Sequence, residues 1–365
     1  MGTWKIVELK FNPCLAHFGE LGIGMESTIE RVYSDNLFSA WMSAYARLYP
    51  EEIEGLFDLF LNNNPPPIRI SSTFIYRKTS EGTIYYLPRP LRFPVNYPAE
   101  DLAFFKTYKS LHYLPLEIWQ RWYQGEGFNH EDIEELEERA KKGGEGTEGK
   151  LAQTGLFDYK QAFSTDKVPK IAVDRNTRAT NLYHVAFVRF VAEGENERSG
   201  LYFLVNICST GEFWQKRLEN ALNWLGEEGI GGERSSGAGR FQATWLDLSE
   251  AGSPWREMIE YSGTPVNYSL ISLFWDDNQS FLQELSVNSI SSYQLQERGG
   301  WIAESNIRRQ NVRMFAEGSV FFTQPAGKLI NVTPRELRKQ DGSYKNHPIY
   351  RNGISVSLPI KVSNC

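Results

Sequence analysis

The fold is decided by the apolar run Leu201-Tyr202-Phe203-Leu204-Val205-Asn206-Ile207 and by the residues that follow it. A short continuous apolar run of this kind predicts a buried β-strand. Ser209 and Glu212 then stand in a capping-box relation, and the apolar residues after them recur at helical spacing until Gly226. A strand pattern resumes over residues 241–246. This stretch therefore predicts a strand, a helix that Gly226 ends, and a second strand.

The chain before this run predicts further strands and helices. Residues 184–191 are predicted to form another apolar strand, and a polar turn separates it from residues 201–207. The two strands are therefore predicted to pair as a central hairpin. Residues 7–11 alternate apolar and charged side chains, which is typical of a half-buried strand. A helix capped by Ser34, a second helix over 53–61 and an extended segment over 68–77 follow in order.

The order of these elements indicates an α+β fold. Strand, helix, strand, insertion, strand pair, helix and strand is the outline of a split βαβ, or ferredoxin-like, domain over residues 1–247. The insertion covers about residues 88–180, and its acidic run at 131–138 is expected to be a solvated helix face and not a metal site. Residues 248–365 are expected to form a second, smaller α+β domain.

The charge balance excludes a protein that binds nucleic acid through its overall field. The chain of 365 residues has 39 Lys and Arg against 45 Asp and Glu, for a net charge of -6. The charge is uneven, because residues 298–365 contain 11 basic and 4 acidic residues, a local excess of 11 − 4 = +7. Such a local excess can follow several phosphates.

Cysteines and hydropathy indicate the compartment. Cys14, Cys208 and Cys365 include no C-x-x-C pair, which argues against a disulfide framework and against a thiolate zinc site. Residues 1–11 lack the apolar centre of a signal peptide, and no stretch approaches the length of a spanning helix. We therefore expect a soluble cytoplasmic protein with no metal, no other cofactor and no membrane partner.

The densest functional signal is the segment Gly229-Ile230-Gly231-Gly232-Glu233-Arg234-Ser235-Ser236-Gly237-Ala238-Gly239-Arg240-Phe241, here called the Gly-rich loop. Glycines allow positive φ and close approach of the backbone to a ligand, so successive N–H groups, the serine hydroxyls, Arg234 and Arg240 are predicted to hold phosphates. A Walker A loop or a Rossmann fingerprint would have to lead into a helix, whereas this segment leads into a strand. A flexible connector remains the alternative.

Two other segments combine cationic, polar and aromatic side chains. Arg175, Thr177 and Arg178 precede the predicted hairpin and suit contacts to single-stranded RNA, although an internal Asp–Arg pair explains the same residues equally well. Arg298 and Trp301 offer a guanidinium beside a stacking surface, and Trp301 is also a candidate for the core of the second domain.

The Gly-rich loop resembles the glycine-rich loop of the RAMP superfamily of CRISPR RNA-binding proteins. Within that superfamily the sequence resembles the family of fourth Csm subunits of type III-A effector complexes. The resemblance rests on six further segments in the same order: Tyr33–Ala40, Tyr86–Pro90, Val173–Thr177, Arg298–Trp301, Glu317–Ser319 and His347–Arg351.

The resemblance implies two ferredoxin-like, RRM-related domains in tandem, with a β-hairpin thumb in the insertion that kinks the guide. It implies a subunit without nuclease chemistry that grips the repeat-derived 5′ tag of the guide RNA. Its partners would be the large polymerase-like subunit and an adjacent RAMP backbone subunit. Tyr33, next to Ser34, occupies a position where this family often has His. A tyrosine there can still stack on an RNA base, so Tyr33 and Ser34 are included among the implied RNA contacts. The implied tag contacts in the loop are Gly231, Gly232, Arg234, Ser235, Ser236, Gly237 and Gly239.

Two other functions compete with this one. Related RAMP proteins include endoribonucleases that process the guide precursor, and His17 is where a general base would lie in such an enzyme. An isolated histidine beside Phe18 is more often structural, so the sequence favours a non-catalytic subunit. The equivalent cap subunit of type III-B complexes is the nearest alternative within the superfamily.

Overall fold

The computed structural model describes residues 2–13, 15–19, 24–98, 102–142, 148–193, 197–252, 254–263, 266–287, 291–302, 307–339, 341, 343–345 and 347–362. The helices are α1 (Ser34–Leu48), α2 (Ile53–Asn62), α3 (Leu102–Ser110), α4 (Leu116–Tyr123), α5 (His130–Lys141), α6 (Lys150–Gln153), α7 (Gln215–Glu228), α8 (Trp255–Ile259) and α9 (Gln279–Val287). The strands are β1 (Thr3–Phe11), β2 (Leu15–Ala16), β3 (Ile68–Ile70), β4 (Phe74–Thr79), β5 (Gly82–Pro88), β6 (Tyr113–Pro115), β7 (Phe163–Val173), β8 (Thr180–Phe190), β9 (Ala192–Glu193), β10 (Glu197–Ile207), β11 (Phe241–Asp247), β12 (Asn267–Leu270), β13 (Leu295–Arg298), β14 (Val312–Phe315), β15 (Val320–Phe321), β16 (Leu329–Asn331), β17 (Tyr350–Asn352) and β18 (Ser357–Ile360).

A large antiparallel sheet organises the molecule. Its strands lie in the order β11-β1-β10-β4-β5-β6, and Val7 of β1 is in register with Phe203 on one side and Trp245 on the other. The inner part of this order, with α1 after β1 and α7 after β10, is that of a split βαβ motif. The α+β class predicted from the sequence is therefore confirmed.

Both faces of this sheet are covered. On one face, Val7, Leu9 and Phe203 pack with α1 and α7, and Trp41 of α1 donates its Nε1–H to the carbonyl of Leu218 in α7 at 2.8 Å. Burying an aromatic side chain of this kind contributes about 1.5–3 kcal/mol. On the other face the core joins the sheet to α3, α4 and α5 of the insertion and to strands of the C-terminal half. Two covered faces explain why β10 has a continuous apolar run.

The predicted central hairpin is wrong. The strand that contains residues 184–191 is β8, which pairs with β7 from Phe163↔Phe190 to Val173↔Thr180 and not with β10. Strand β10 has β1 and β4 as its neighbours, and its first residues pair with the two-residue strand β9, so β8 does not join this sheet. Most β7 side chains are exposed and the strand contains Pro169, so its sequence gives no apolar pattern.

The helix signals also need correction. Ser209–Trp214 is a 3-10 helix, and α7 begins only at Gln215 without a side-chain cap. Gly226 lies inside α7, where a Cβ would stand 2.3 Å from the carbonyl oxygen of Phe241. The helix ends instead at Gly229, whose φ is 86°.

Ser34 does not cap α1. It is the first residue of the helix, Tyr33 occupies the N-cap position, and no side chain caps the helix. The hydroxyl oxygen of Ser34 accepts the N–H of Leu273 at 3.0 Å. This bond connects α1 to the C-terminal half of the chain.

The acidic run is helical, as expected, but it is not merely a solvated face. In α5, Asp132 accepts hydrogen bonds from both terminal nitrogens of Arg121 at 2.7 and 2.8 Å and from Trp122 at 2.9 Å. The oxygens of Glu135 accept the N–H groups of Leu151 and Ala152, both at 2.9 Å. Both carboxylates are buried and hold the insertion together.

The C-terminal half packs on the large sheet through a common core. Its described strands form three separate sheets: β15-β12-β18, β13-β14 and β16-β17. A second ferredoxin-like domain and the boundary at residue 247 therefore stay predictions. The described part of the chain contains no helix long and apolar enough to cross a membrane. Cys208 is a buried free thiol, whereas Cys14 and Cys365 lie outside the described residues.

Candidate nucleic-acid interface

The Gly-rich loop is anchored to the segment after β1. The N–H of Gly232 donates to the carbonyl of His17 at 2.9 Å, and the N–H of Gly239 donates to that of Leu15 at 2.8 Å. Within the loop the N–H of Ile230 donates to Gly239 at 2.9 Å. The loop is therefore a hydrogen-bonded structure and not a flexible connector.

Its glycines serve packing of the chain against itself. A Cβ at Gly231 would stand 2.3 Å from the carbonyl oxygen of His17, and one at Gly239 would stand 2.1 Å from that of Ile230. Both residues also have positive φ. Glycine is required at these two positions by the protein's own backbone, whereas the sequence suggested close approach of a ligand.

The predicted cradle of successive backbone N–H groups is not formed in this structure. The N–H groups of seven loop residues donate to carbonyls of the protein: Gly229, Ile230, Gly232, Ser236, Gly237, Ala238 and Gly239. The side chains of the loop are better placed, because those of Arg234, Ser235, Ser236 and Arg240 are exposed. Arg234 also lines a cavity of about 300 Å³ between the loop and α1. Anion binding here would rest mainly on guanidinium and hydroxyl groups.

The loop is joined to the β7–β8 hairpin by a charged contact. Lys170 of β7 forms an ion pair with Glu233, and its Nζ donates to the hydroxyl of Ser236 at 3.1 Å. The hydrogen bond from Lys170 lowers the pKa of Glu233. Ala238 packs against Val185 and other apolar residues of β8. Lys170 was missed by sequence analysis because β7 carries no recognisable pattern.

The predicted RNA-binding residues Arg175, Thr177 and Arg178 lie at the tip of this hairpin. Asp174 accepts the N–H groups of Asn176 and Thr177, both at 2.8 Å, and these bonds lower its pKa. The carboxylate therefore holds the turn by its backbone, and the described contacts include no pairing with either arginine. Both arginines and Thr177 are exposed.

The hairpin also exposes apolar side chains near its tip. Ile171 and Leu182 face each other across the strands and are 63% and 62% exposed, and Val173 is 58% exposed. Large apolar residues at this exposure, beside two arginines, give the tip both a cationic and an apolar surface. The hairpin is a candidate for the thumb that the resemblance implies.

Tyr33, Ser34 and Arg298 lie in the interior, contrary to the contact surface that the sequence suggested. Arg298 donates from Nε and Nη2 to Asp35, both at 3.0 Å, and its side chain is 1% exposed. The guanidinium carbons of Arg31 and Arg298 each lie 4.4 Å from the centre of the Tyr33 ring. Buried in this way, the side chains of Tyr33, Ser34 and Arg298 are not available to contact RNA.

Trp301 is exposed to 43%, so it is not a core residue. The guanidinium carbon of Arg308 lies 4.5 Å from the centre of its ring, a cation–π contact. A role of Trp301 in stacking on RNA stays a prediction.

His17 is buried and its Nδ1 is 2.7 Å from the carbonyl oxygen of Ala186. Asp35, a carboxylate that could pair with a histidine, is bound to Arg298 and Arg351. This geometry favours a structural role for His17 over that of a general base. In the described ranges no group of His, Cys, Asp and Glu side chains is arranged to hold a metal ion.

Comparison with known proteins gives the context of this site. Residues 265–360 match the sequence model of the CRISPR Csm4 C-terminal domain. The CRISPR system Cms protein Csm4 of Methanocaldococcus jannaschii is 24% identical over 381 aligned residues, which cover 94% of each chain. The chain is Csm4-like. The protein of the same name from Thermococcus onnurineus is 25% identical over 307 residues and covers 80% of this chain and 83% of its own.

Solved structures agree with this result at the level of the fold. A chain from a crystal structure of a Csm1–Csm4 cassette in complex with cA4 superposes with a TM-score of 0.56 at 17% identity, with complete coverage of both chains. The corresponding chain in a complex with pppApA gives a TM-score of 0.55 at 16% identity. These structures show a common fold. Together with the matching domain model and the two relatives, they confirm that the chain resembles a Csm4-like subunit of type III CRISPR systems.

Proposed function

We propose that this chain is a non-catalytic RNA-binding subunit of a type III-A effector complex that grips the 5′ tag of the guide RNA in antiviral and plasmid defence. The observation that carries the proposal is the contact between the Gly-rich loop and the β7–β8 hairpin. Through Lys170 and Glu233 two exposed arginine-bearing segments are held against each other. A single strand that follows the hairpin would meet both segments.

The two segments would act on different parts of the strand. Arg234 and Arg240, with the hydroxyls of the loop, would hold phosphates, which needs no overall positive charge because the contacts are local. Lys170 and Asp174 are four residues apart, so the tip extends about 13 Å beyond the loop contact. There the arginines would contact phosphates, and the exposed Ile171 and neighbouring apolar side chains would displace a base.

The partners follow from the relatives. The solved chains of similar fold come from Csm1–Csm4 cassettes, so we propose that this chain docks on a large polymerase-like subunit. The other proposed protein partner is an adjacent RAMP backbone subunit. We further propose that the chain folds as two ferredoxin-like domains in tandem and that its complex is cytoplasmic.

A role as a processing endoribonuclease is less well supported. Such an enzyme would need a positioned acid and base. His17, the candidate general base, lies in the interior with its Nδ1 beside the carbonyl of Ala186. The cap subunit of a type III-B complex is the second candidate, because it would use the same kind of loop. Binding to repeat-derived tags of the two systems would distinguish these assignments.

The test is binding of the purified chain, alone and with the large subunit, to labelled tag RNA and a scrambled control. We expect preference for the tag, intact RNA, and a salt-dependent affinity. Arg234→Ala should weaken binding and reduce the salt slope, whereas Arg256→Ala, which removes an exposed arginine from α8, should not. Equal binding of tag and scrambled RNA, or cleavage at a defined position, would contradict the proposal.

A further inference from the structure

Three arginines surround a single carboxylate at the start of α1. Arg298 and Arg351 both bind Asp35, and their side chains are 1% and 2% exposed. Arg309 lies close enough for its charge to interact with Arg351 and Asp35. We call Arg298, Arg309 and Arg351 the arginine cluster.

The cluster has more positive charge than Asp35 neutralises. Among the described residues, three of its buried nitrogens have no hydrogen-bond partner: Nη1 of Arg298, Nε of Arg309 and Nε of Arg351. A guanidinium does not lose its proton in proteins, so the cluster cannot become neutral by itself. Burial and the charge of Arg351 both lower the pKa of Arg309, which means that its charged form is disfavoured here. An anion beside Arg309 would supply the missing negative charge and an acceptor for its Nε.

The cluster reaches the Gly-rich loop through one cavity. Arg309 lines the cavity of about 300 Å³ that Arg234 and Asn36 also line. Glu228, a carboxylate at its wall, is already paired with Arg47 at 2.5 Å. Arg31 also lines the cavity but is paired with Glu317 at 3.1 Å. The guanidiniums without a described carboxylate partner are therefore those of Arg309 and Arg234, and the volume is at the lower end of the roughly 300–1,000 Å³ found for small-molecule sites.

We propose that this cavity binds one phosphate group of single-stranded RNA between Arg309 and Arg234. The inference rests on the proposed function and adds to it a defined phosphate position. RNA is favoured over an acidic protein segment because the same cavity is walled by the Gly-rich loop, whose exposed arginine and serines continue outward from it. Guanidiniums matched to a tetrahedral anion are the usual means of phosphate recognition.

An arginine that binds an anion affects stability differently from an arginine that only supports the fold. Without an anion, removal of one positive charge from the cluster relieves repulsion. Arg309→Gln should therefore raise the melting temperature in chloride buffer. Inorganic phosphate at the same ionic strength should raise the melting temperature of the wild type and should raise that of Arg309→Gln much less.

The experiment compares the wild type, Arg309→Gln and Arg335→Gln in thermal unfolding and in RNA binding over a salt series. Arg335 is exposed in the C-terminal half and serves as the matched control. We expect the salt slope for tag RNA to decrease by about 0.7 in Arg309→Gln, the value for one phosphate contact in single strands. Arg335→Gln should match the wild type in its melting temperature, phosphate response and slope.

The outcomes separate this inference from the proposed function. A lower melting temperature of Arg309→Gln in chloride, or an unchanged phosphate response and slope, would overturn the site. If the phosphate response is lost but the RNA slope is unchanged, the cavity binds a different anion, such as an acidic partner segment, and the RNA assignment falls. If Arg234→Ala loses tag binding while Arg309→Gln keeps the wild-type affinity and salt slope, the proposed function stands and the phosphate position at Arg309 falls.

Discussion

Asp35 and Arg298 are 263 residues apart in the sequence and are joined by two hydrogen bonds of 3.0 Å in the protein interior. The pair connects the first turn of α1 to the end of β13. Together with the bond between Ser34 and Leu273, it fixes the C-terminal half against the N-terminal sheet. The two halves are therefore held by specific polar contacts as well as by a common apolar core.

Asp35→Asn should destabilise the protein strongly. The change leaves Arg298 and Arg351 buried without a counter-charge, and breaking a buried pair in this way costs about 3–5 kcal/mol. Asp247→Asn is the control, because its pair with Lys5 lies at the surface and should contribute less than about 1 kcal/mol. Urea unfolding of both variants measures the difference. Similar midpoints for the two variants would show that the buried pair is not a structural connection.

The same pair predicts a pH dependence. Burial alone would raise the pKa of Asp35, but Arg298 and Arg351 outweigh burial and lower it. A lowered folded-state pKa gives stability that is present above the unfolded-state pKa of about 3.9 and is lost as pH falls through the folded value. The stability gap between wild type and Asp35→Asn should therefore stay constant from pH 7 to pH 5 and shrink only below about pH 4. A gap that closes above pH 5 would contradict this assignment.

Gly239→Ala should disrupt the Gly-rich loop more than Gly237→Ala. Both residues have positive φ, so both substitutions incur about 1–2 kcal/mol of backbone strain. At Gly239 the new Cβ would also stand 2.1 Å from the carbonyl of Ile230, whereas nothing lies within 4 Å of the position at Gly237. Thermal unfolding and RNA affinity should both rank Gly237→Ala closer to wild type. The reverse order would mean that the loop is not packed as described.

The sequence predicted the elements that bury a regular apolar face. Strand β1, helix α1 and strand β11 follow their periodicity, because side-chain spacing decides which face enters the core. The pairing of β8 could not be predicted in this way, since its partner β7 is mostly exposed. The role of Arg298 was equally hidden, because a sequence motif does not reveal that its counter-charge is Asp35 in a distant helix.

The hairpin tip should contribute to RNA binding without contributing to stability. Arg175→Ala and Arg178→Ala remove exposed guanidiniums, so melting temperatures should be unchanged while RNA affinity and salt slope fall. Asp174→Ala is expected to weaken binding differently, because it removes the acceptor of two backbone N–H groups and loosens the turn. Hydrogen exchange of the tip separates the two effects. Faster exchange in the arginine variants would show that those side chains are structural.

Lys170 should matter for RNA binding through its contact with the Gly-rich loop and not only through its charge. Lys170→Ala breaks the ion pair with Glu233 and the bond to Ser236, so the hairpin and the loop lose their polar connection. Lys167→Ala removes the same charge from the same strand, at a position whose exposed side chain has no described contact with the loop.

If the hairpin and the loop bind RNA as one unit, Lys170→Ala should lower tag affinity several-fold more than Lys167→Ala. A Lys170→Ala and Glu233→Ala double-mutant cycle in urea unfolding should give a coupling of about 0.5–1 kcal/mol, as expected for a partly exposed pair. Because the pKa of Glu233 is lowered by Lys170, this coupling should persist at pH 5 and disappear as pH falls below about 4. Equal affinities of the two lysine variants would mean that hairpin and loop act independently, and the contact between them would then have no part in holding the guide.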